Sequence, residues 1–235
     1  MAGSGNTLGR EWHVAAVDFH TRQIQENPND LGAIFEERFA QLRLVAYDIS
    51  AVFGGKAKGI LSDGDFMLGL NDLKRQFQET GEVIEHAFEG RRVYVKNFPN
   101  APTDRQNAIV DATDPNFLLA GELWPWNMVR MDFWALSVMF KSQLLKMDPT
   151  VNVQEVVGMA LLTGKMYETL QSASHNPKAV VLGFQGIIGV AAAAMPRDEK
   201  HVMWARRKYA EAETYGYVMK HERGVEAAYM LEVRH

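Results

Sequence analysis

Apolar residues recur at helical spacing over most of the chain. After Asp30, a residue type suited to cap a helix, Leu31, Ile34, Phe35, Phe39, Leu42, Val45, Ile49 and Val52 fall along one face. The pattern predicts a helix ended by Gly54 and Gly55, with Lys56 and Lys58 at the pole where cations are favoured. A second helix is expected over 64–80, from Phe66, Leu68, Leu70, Leu73 and Phe77, with Gly81 as its stop. The period then changes. Val83, Ile84, Ala87 and Phe88, a Glu89-Gly90 turn, then Val93, Tyr94 and Val95 predict a β-hairpin over 82–97.

Residues 97–115 are rich in Pro, Asn and Asp and are expected to form a long loop, functional or flexible. The strongly apolar stretch 116–147 predicts two helices separated by Pro125. Further helices are expected over 151–173, over the small and apolar run 178–195, and over 198–220. Residues 222–235 are expected to be a short terminal helix or tail. The first residues lack sustained periodicity, and Leu8, Trp12, Val14, Val17 and Phe19 suit an arm that docks on something. The expected fold is therefore mainly α: two helical lobes, 28–130 and 131–210, with one β-hairpin in the N-terminal lobe. Extended arms flank them, 1–27 and 211–235.

Of the 235 residues, 47% are apolar and 10% aromatic, which excludes a disordered chain. There is no cysteine, which removes disulfides, thiolate metal sites and cysteine nucleophiles and fits a reducing compartment. No apolar run reaches the ~18 residues of a membrane-spanning helix, so no membrane insertion is expected. The opening stretch lacks a basic-then-apolar signal, and the expected location is the cytosol.

The net charge of −4 hides a local asymmetry. Residues 63–89 carry seven acids against Lys74 and Arg75, leaving the rest of the chain at +1. Stretches 90–103 and 200–210 hold only cations, and such patches decide partners more than the total does.

Seven histidines do not make a metal site: His13 and His20 stand seven apart with Asp18 between, and no zinc, nucleotide or nucleophile-elbow motif occurs. No catalytic residue, metal or cofactor is expected. Single-stranded RNA binding needs cations along a path and aromatic faces for stacking. The chain offers Arg91, Arg92 and Lys96 on the expected hairpin, Arg105 in the adjoining loop, and Arg206, Arg207 and Lys208 late in the chain. Tyr94, Trp124 and Trp126 lie among them as stacking candidates, with Lys56 and Lys58 at the edge. Each has a plainer reading: tryptophans in apolar runs are mostly core, and an Arg-Arg-Lys triplet is mostly a solvated helix face.

These same residues resemble a known family. Lys56-Ala57-Lys58-x-x-Leu61-Ser62 is similar to a helix ending in K-A-K-x-x-L-S. Phe88-x-Gly90-x-x-Val93-x-Val95-x-Asn97-Phe98-Pro99 is similar to F-G-x-x-x-V-x-V-x-N-N-H-F-P. Arg105-x-Asn107-x-Ile109 and Leu119-x-Gly121-x-Leu123-x-x-Trp126 follow at the separation of N-R-N-N-P-I and L-S-G-Y-L-A-R-W. Ile188-Gly189-Val190, Met195-Pro196 and Arg206-x-Lys208-Tyr209 complete the order. The set resembles the nucleocapsid proteins of orthobunyaviruses and their insect-virus relatives. Segment 63–89 is longer than the family's equivalent, and an arginine that the family places before L-S-G falls here on Leu118.

The resemblance implies two helical lobes gripping single-stranded genomic RNA in a basic groove. It also implies terminal arms that build rings or filaments of the protein, and a viral polymerase as partner. The expected setting is the virion and the host-cell cytoplasm. The rival reading is a helical scaffold or filament-forming coat protein that binds no RNA.

Overall fold

The computed structural model describes residues 9–103, 108–147 and 150–216. Helices dominate them: α1 (Arg10–Glu26), α2 (Leu31–Ala57), α3 (Asp63–His86), α4 (Trp126–Leu145), α5 (Val153–Ala173), α6 (Pro177–Gly183), α7 (Gln185–Ala194) and α8 (Glu199–Thr214). Most starts are written in short polar residues. The side chains of Asp30, Ser62, Asn152, Asn176 and Asp198 accept backbone N–H groups of the first turns of α2, α3, α5, α6 and α8, which would otherwise lack partners.

The protein is mainly α, but the expected β-hairpin is not present: no strand occurs among the described residues. Leu70, Leu73, Phe77, Thr80 and Ile84 are all buried and continue one helical stripe, so α3 runs on to His86. The apolar positions over 83–88 that read as a strand include Ile84, which belongs to that longer period. The chain turns at Phe88, which takes a left-handed conformation (φ 60°) and leads into a short 3-10 helix, Glu89–Arg91. Residues 93–95 then lie beside 118–120 instead, through one antiparallel bridge between Tyr94 and Leu119.

Other expected helix ends also move. α2 passes through Gly54 and Gly55 and ends before Gly59, the residue with φ 68°. Gly55 is small because the Leu61 side chain lies 3.0 Å from where a Cβ would be. Pro125 breaks nothing. It stands just before the first turn of α4, where a missing N–H costs nothing, and its carbonyl accepts from Met128 and Val129. The run 178–195 is two helices, α6 and α7, bent by 67° at Phe184 between Gly183 and Gly186.

Gly81 does not stop α3 either. A Cβ there would lie 2.8 Å from Cζ of Phe133, a buried ring of α4. Alanine would gain up to ~1 kcal/mol of helix propensity but would overpack the core by roughly 1–3 kcal/mol. Gly81→Ala is therefore expected to lower stability by about 1 kcal/mol in urea denaturation, and Gly81→Ala with Phe133→Leu to recover it. A stabilised single variant would show that the ring yields freely.

The expected N-terminal arm is not extended from residue 10 onward; it is α1. No residue of α1 is buried. It is attached to α2 by the Arg10 guanidinium, which donates to both Asp48 carboxylate oxygens at 2.7 and 3.0 Å, and by the His13 ring against Tyr47. At the other end, α8 reaches Thr214, and the rest of the expected C-terminal arm, with residues 1–8, lies outside the described residues.

The chain divides into two compact units. The first comprises α1, α2, α3 and the part of α4 up to Leu136; its core is aromatic, with Phe35, Phe66, Phe77, Trp126 and Trp134 buried. The second comprises residues 93–120, the rest of α4 and α5 to α8. Its core contains Leu118, Leu119, Met166, Tyr167, Leu170, Ile188 and Trp204.

Candidate nucleic-acid interface

In the first unit, three of the expected RNA-binding residues serve the fold. Lys56 pairs with Asp63 across the α2–α3 turn and lies 5.8 Å from the centre of the Phe66 ring. Trp126 is buried between Phe35 and Phe88, and its indole N–H donates to the Ile84 carbonyl at 3.3 Å. Arg92 donates to the carbonyls of Glu85 and Ala87. Trp126 and Arg92 thus satisfy carbonyls at the C-terminus of α3 that have no partner within the helix. Trp124 is half-buried just ahead of α4. Arg91 and Lys58 are exposed.

In the second unit, helical rotation separates the triplet on α8. Trp204, Lys208 and Ala212 recur every four residues, the first and second reaching Glu168 of α5 and the third buried, whereas Arg206 and Arg207 are exposed with Lys200 and Met203. The Lys208 ammonium donates to Glu168 (3.0 Å), Gln171 (2.8 Å) and Glu211 (3.5 Å), and Trp204 donates to the other Glu168 oxygen at 2.6 Å. Lys96 is exposed, donates to the Pro115 carbonyl and Asn116 Oδ1, and lies 6.0 Å from the centre of the half-buried Tyr94 ring. Arg105 lies outside the described residues. The structure thus brings Tyr94 and Lys96 together within this unit and sets Arg206 beside Arg207 on one face.

Sequence reasoning missed Lys165. Its ammonium pairs with Asp114 at 2.7 Å and lies 4.4 Å from the centre of the Phe117 ring. That hydrogen bond, with the Asn116 backbone N–H, holds the Asp114 carboxyl below its ordinary range. The available signal was that Lys165 is the one cation between Val153 and Ala173.

Burial also perturbs other groups. Among the described residues no three His, Asp or Glu side chains gather to hold a metal. Burial raises Glu37, with Arg38 and His20 opposing it. In α4, burial pushes Asp132 up to about 6, with Arg43 on α2 pulling back. The unfolded carboxyl titrates near ~3.9, so between that pH and about 6 the folded protein holds more protons. Stability is therefore expected to fall as pH rises from 4 to 7, and Asp132→Asn to flatten that slope. Thermal melts across this range that move identically in both proteins would exclude it.

Compared with known proteins, the chain matches no protein family, no curated protein and no solved structure. Among the described residues no single helix is long and apolar enough to cross a membrane.

Proposed function

We propose that the protein is a viral nucleocapsid protein. It coats single-stranded genomic RNA through phosphate contacts and base stacking without reading sequence, and it assembles with further copies of itself in the virion and the host-cell cytoplasm. Viral polymerase then copies the coated strand. The observation that carries this reading is the outward face of α8, where Arg206 and Arg207 stand exposed with Lys200 in a stretch without an acid. The exposed Arg91, Lys58 and Lys96, and the ordered motifs, support it further. Assembly is supported by α1: Trp12 and Phe19, 61% and 53% exposed, stand two turns apart on its outer side, where apolar surface suits a protein contact.

The test is direct. Protein purified without nuclease is expected to carry host RNA, read as a raised ratio of absorbance at 260 to 280 nm. After nuclease and high-salt stripping it should bind oligo(U) with an affinity that falls steeply with salt. Stripped protein that assembles but ignores oligo(U) at 50 mM salt would instead be a coat protein without RNA.

A further inference from the structure

Two aromatic rings of the second unit each lie beside a lysine: Tyr94 beside Lys96, and Phe117 beside Lys165 of α5. The bridge pairs Tyr94 with Leu119, with Val95 N–H donating to the Leu118 carbonyl and Ala120 N–H to the Val93 carbonyl. Continuing that antiparallel register sets Lys96 across from Phe117. Tyr94 and Phe117 are each half-buried. Lys96 flanks the first ring and Lys165 the second, at 6.0 and 4.4 Å.

The charges around them are unequal. Lys165 is matched by Asp114 at 2.7 Å. Among the described residues Lys96 is held at bonding distance by neutral oxygens, the Pro115 carbonyl and Asn116 Oδ1, with Asp114 acting on it from farther away. One carboxylate between two ammoniums leaves a positive charge. Asp111, the next acid, turns into its own loop and accepts from the N–H and hydroxyl of Thr113. Neutral acceptors hold an ammonium more weakly than a phosphate does. Lys96 can therefore exchange its carbonyl and amide oxygens for a phosphate oxygen, while Lys165 and Asp114 keep the loop in place. A ring beside a transferable cation is the arrangement that holds a nucleotide of a single strand: stacking for the base, an ammonium for its phosphate.

From this geometry we infer a nucleotide subsite of single-stranded RNA at Tyr94, Phe117 and Lys96, with Lys165 and Asp114 as its positioning pair. The inference rests on the proposed function and adds to it where a base stacks. Such a subsite is indifferent to base identity, because every base has a face to stack.

The test compares a short oligo(A) strand with a ribose-phosphate strand of the same length that lacks bases. Tyr94→Leu with Phe117→Leu is expected to weaken oligo(A) binding about tenfold, leaving the baseless strand and the salt slope unchanged. Lys96→Gln is expected to weaken both strands alike and to lower the log–log salt slope by ~0.7. Equal losses on both strands in the ring variant, or none on oligo(A), overturn the subsite. Because half-buried rings also support the fold, the wild-type protein is tested in parallel. Irradiating it with 4-thiouridine-substituted oligo(U) should crosslink peptides containing residues 93–96 or 116–118, and crosslinks found only elsewhere overturn the subsite. If wild-type protein binds neither strand, the proposed function itself fails. If it binds both and Arg206→Ala with Arg207→Ala lowers the salt slope, a failure of the ring variant refutes the subsite alone.

Discussion

Replacing Lys208 with methionine is expected to cost the protein about 3 kcal/mol, whereas replacing Arg206 and Arg207 together with alanine should leave stability unchanged and weaken RNA binding at least tenfold. The three residues are consecutive, but α8 turns Lys208 toward α5. Its side chain there is 12% exposed and that of its partner Glu168 is 10% exposed. Methionine keeps the length of the side chain and removes the charge. Glu168 would then remain buried with only the Trp204 N–H to serve it. Removing one partner of a buried pair is costly because the other is left without compensation, so Lys208→Met with Glu168→Gln should recover much of the loss. Arg206 and Arg207 are exposed. Removing two phosphate contacts from a single-strand binder lowers the log–log salt slope by ~1.4. Thermal melts read the first pair of variants and salt titrations of oligo(U) binding read the second. A Lys208→Met protein that melts with wild type, or an arginine variant with an unchanged slope, would refute the corresponding assignment.

Trp126→Ala is expected to destabilise the protein by about 4 kcal/mol, among the largest effects of any single substitution here. The indole is 1% exposed and packs against Phe35 and Phe88. Its loss leaves a large cavity in an aromatic core. It also strips the Ile84 carbonyl of its donor at the C-terminus of α3, where the helix itself provides none. A base-stacking tryptophan would behave differently: its removal would lower RNA affinity and leave the melting curve alone. Denaturant titration with binding measured well below the midpoint separates the two. Preserved stability with weakened binding would return Trp126 to the interface.

Sequence periodicity was sufficient wherever a helix owes its burial to its own stripe. α5 and the start of α2 follow from Asn152, Asp30 and the apolar positions behind them. It was insufficient where a distant residue decides. Gly81 reads as a stop because nothing nearby reveals that Phe133 occupies the space a side chain would take. Val83 and Ile84 read as a strand because only two of their neighbours enter a local window, while Phe77 and Leu73 set the true period. The candidate site followed the same rule. Composition marked Arg206 and Arg207 as cationic and exposed, as they are. It could not separate them from Lys208, whose orientation depends on Glu168, forty residues earlier. Lys165 stood out on its helix, but its meaning came from Phe117 and Asp114 on another segment.

The left-handed turn at Phe88 bears on the order in which the chain acquires structure. A residue other than glycine loses roughly 1–2 kcal/mol in that conformation, so the turn has no local preference to form. What holds it is the ring, lodged edge-on against Trp126 and Phe35, which come from α4 and α2. The reversal at the end of α3 therefore has to wait for those two helices to arrive. In a kinetic experiment it belongs with the late, long-range events, and Phe88→Ala should chiefly speed unfolding and leave the folding rate almost untouched.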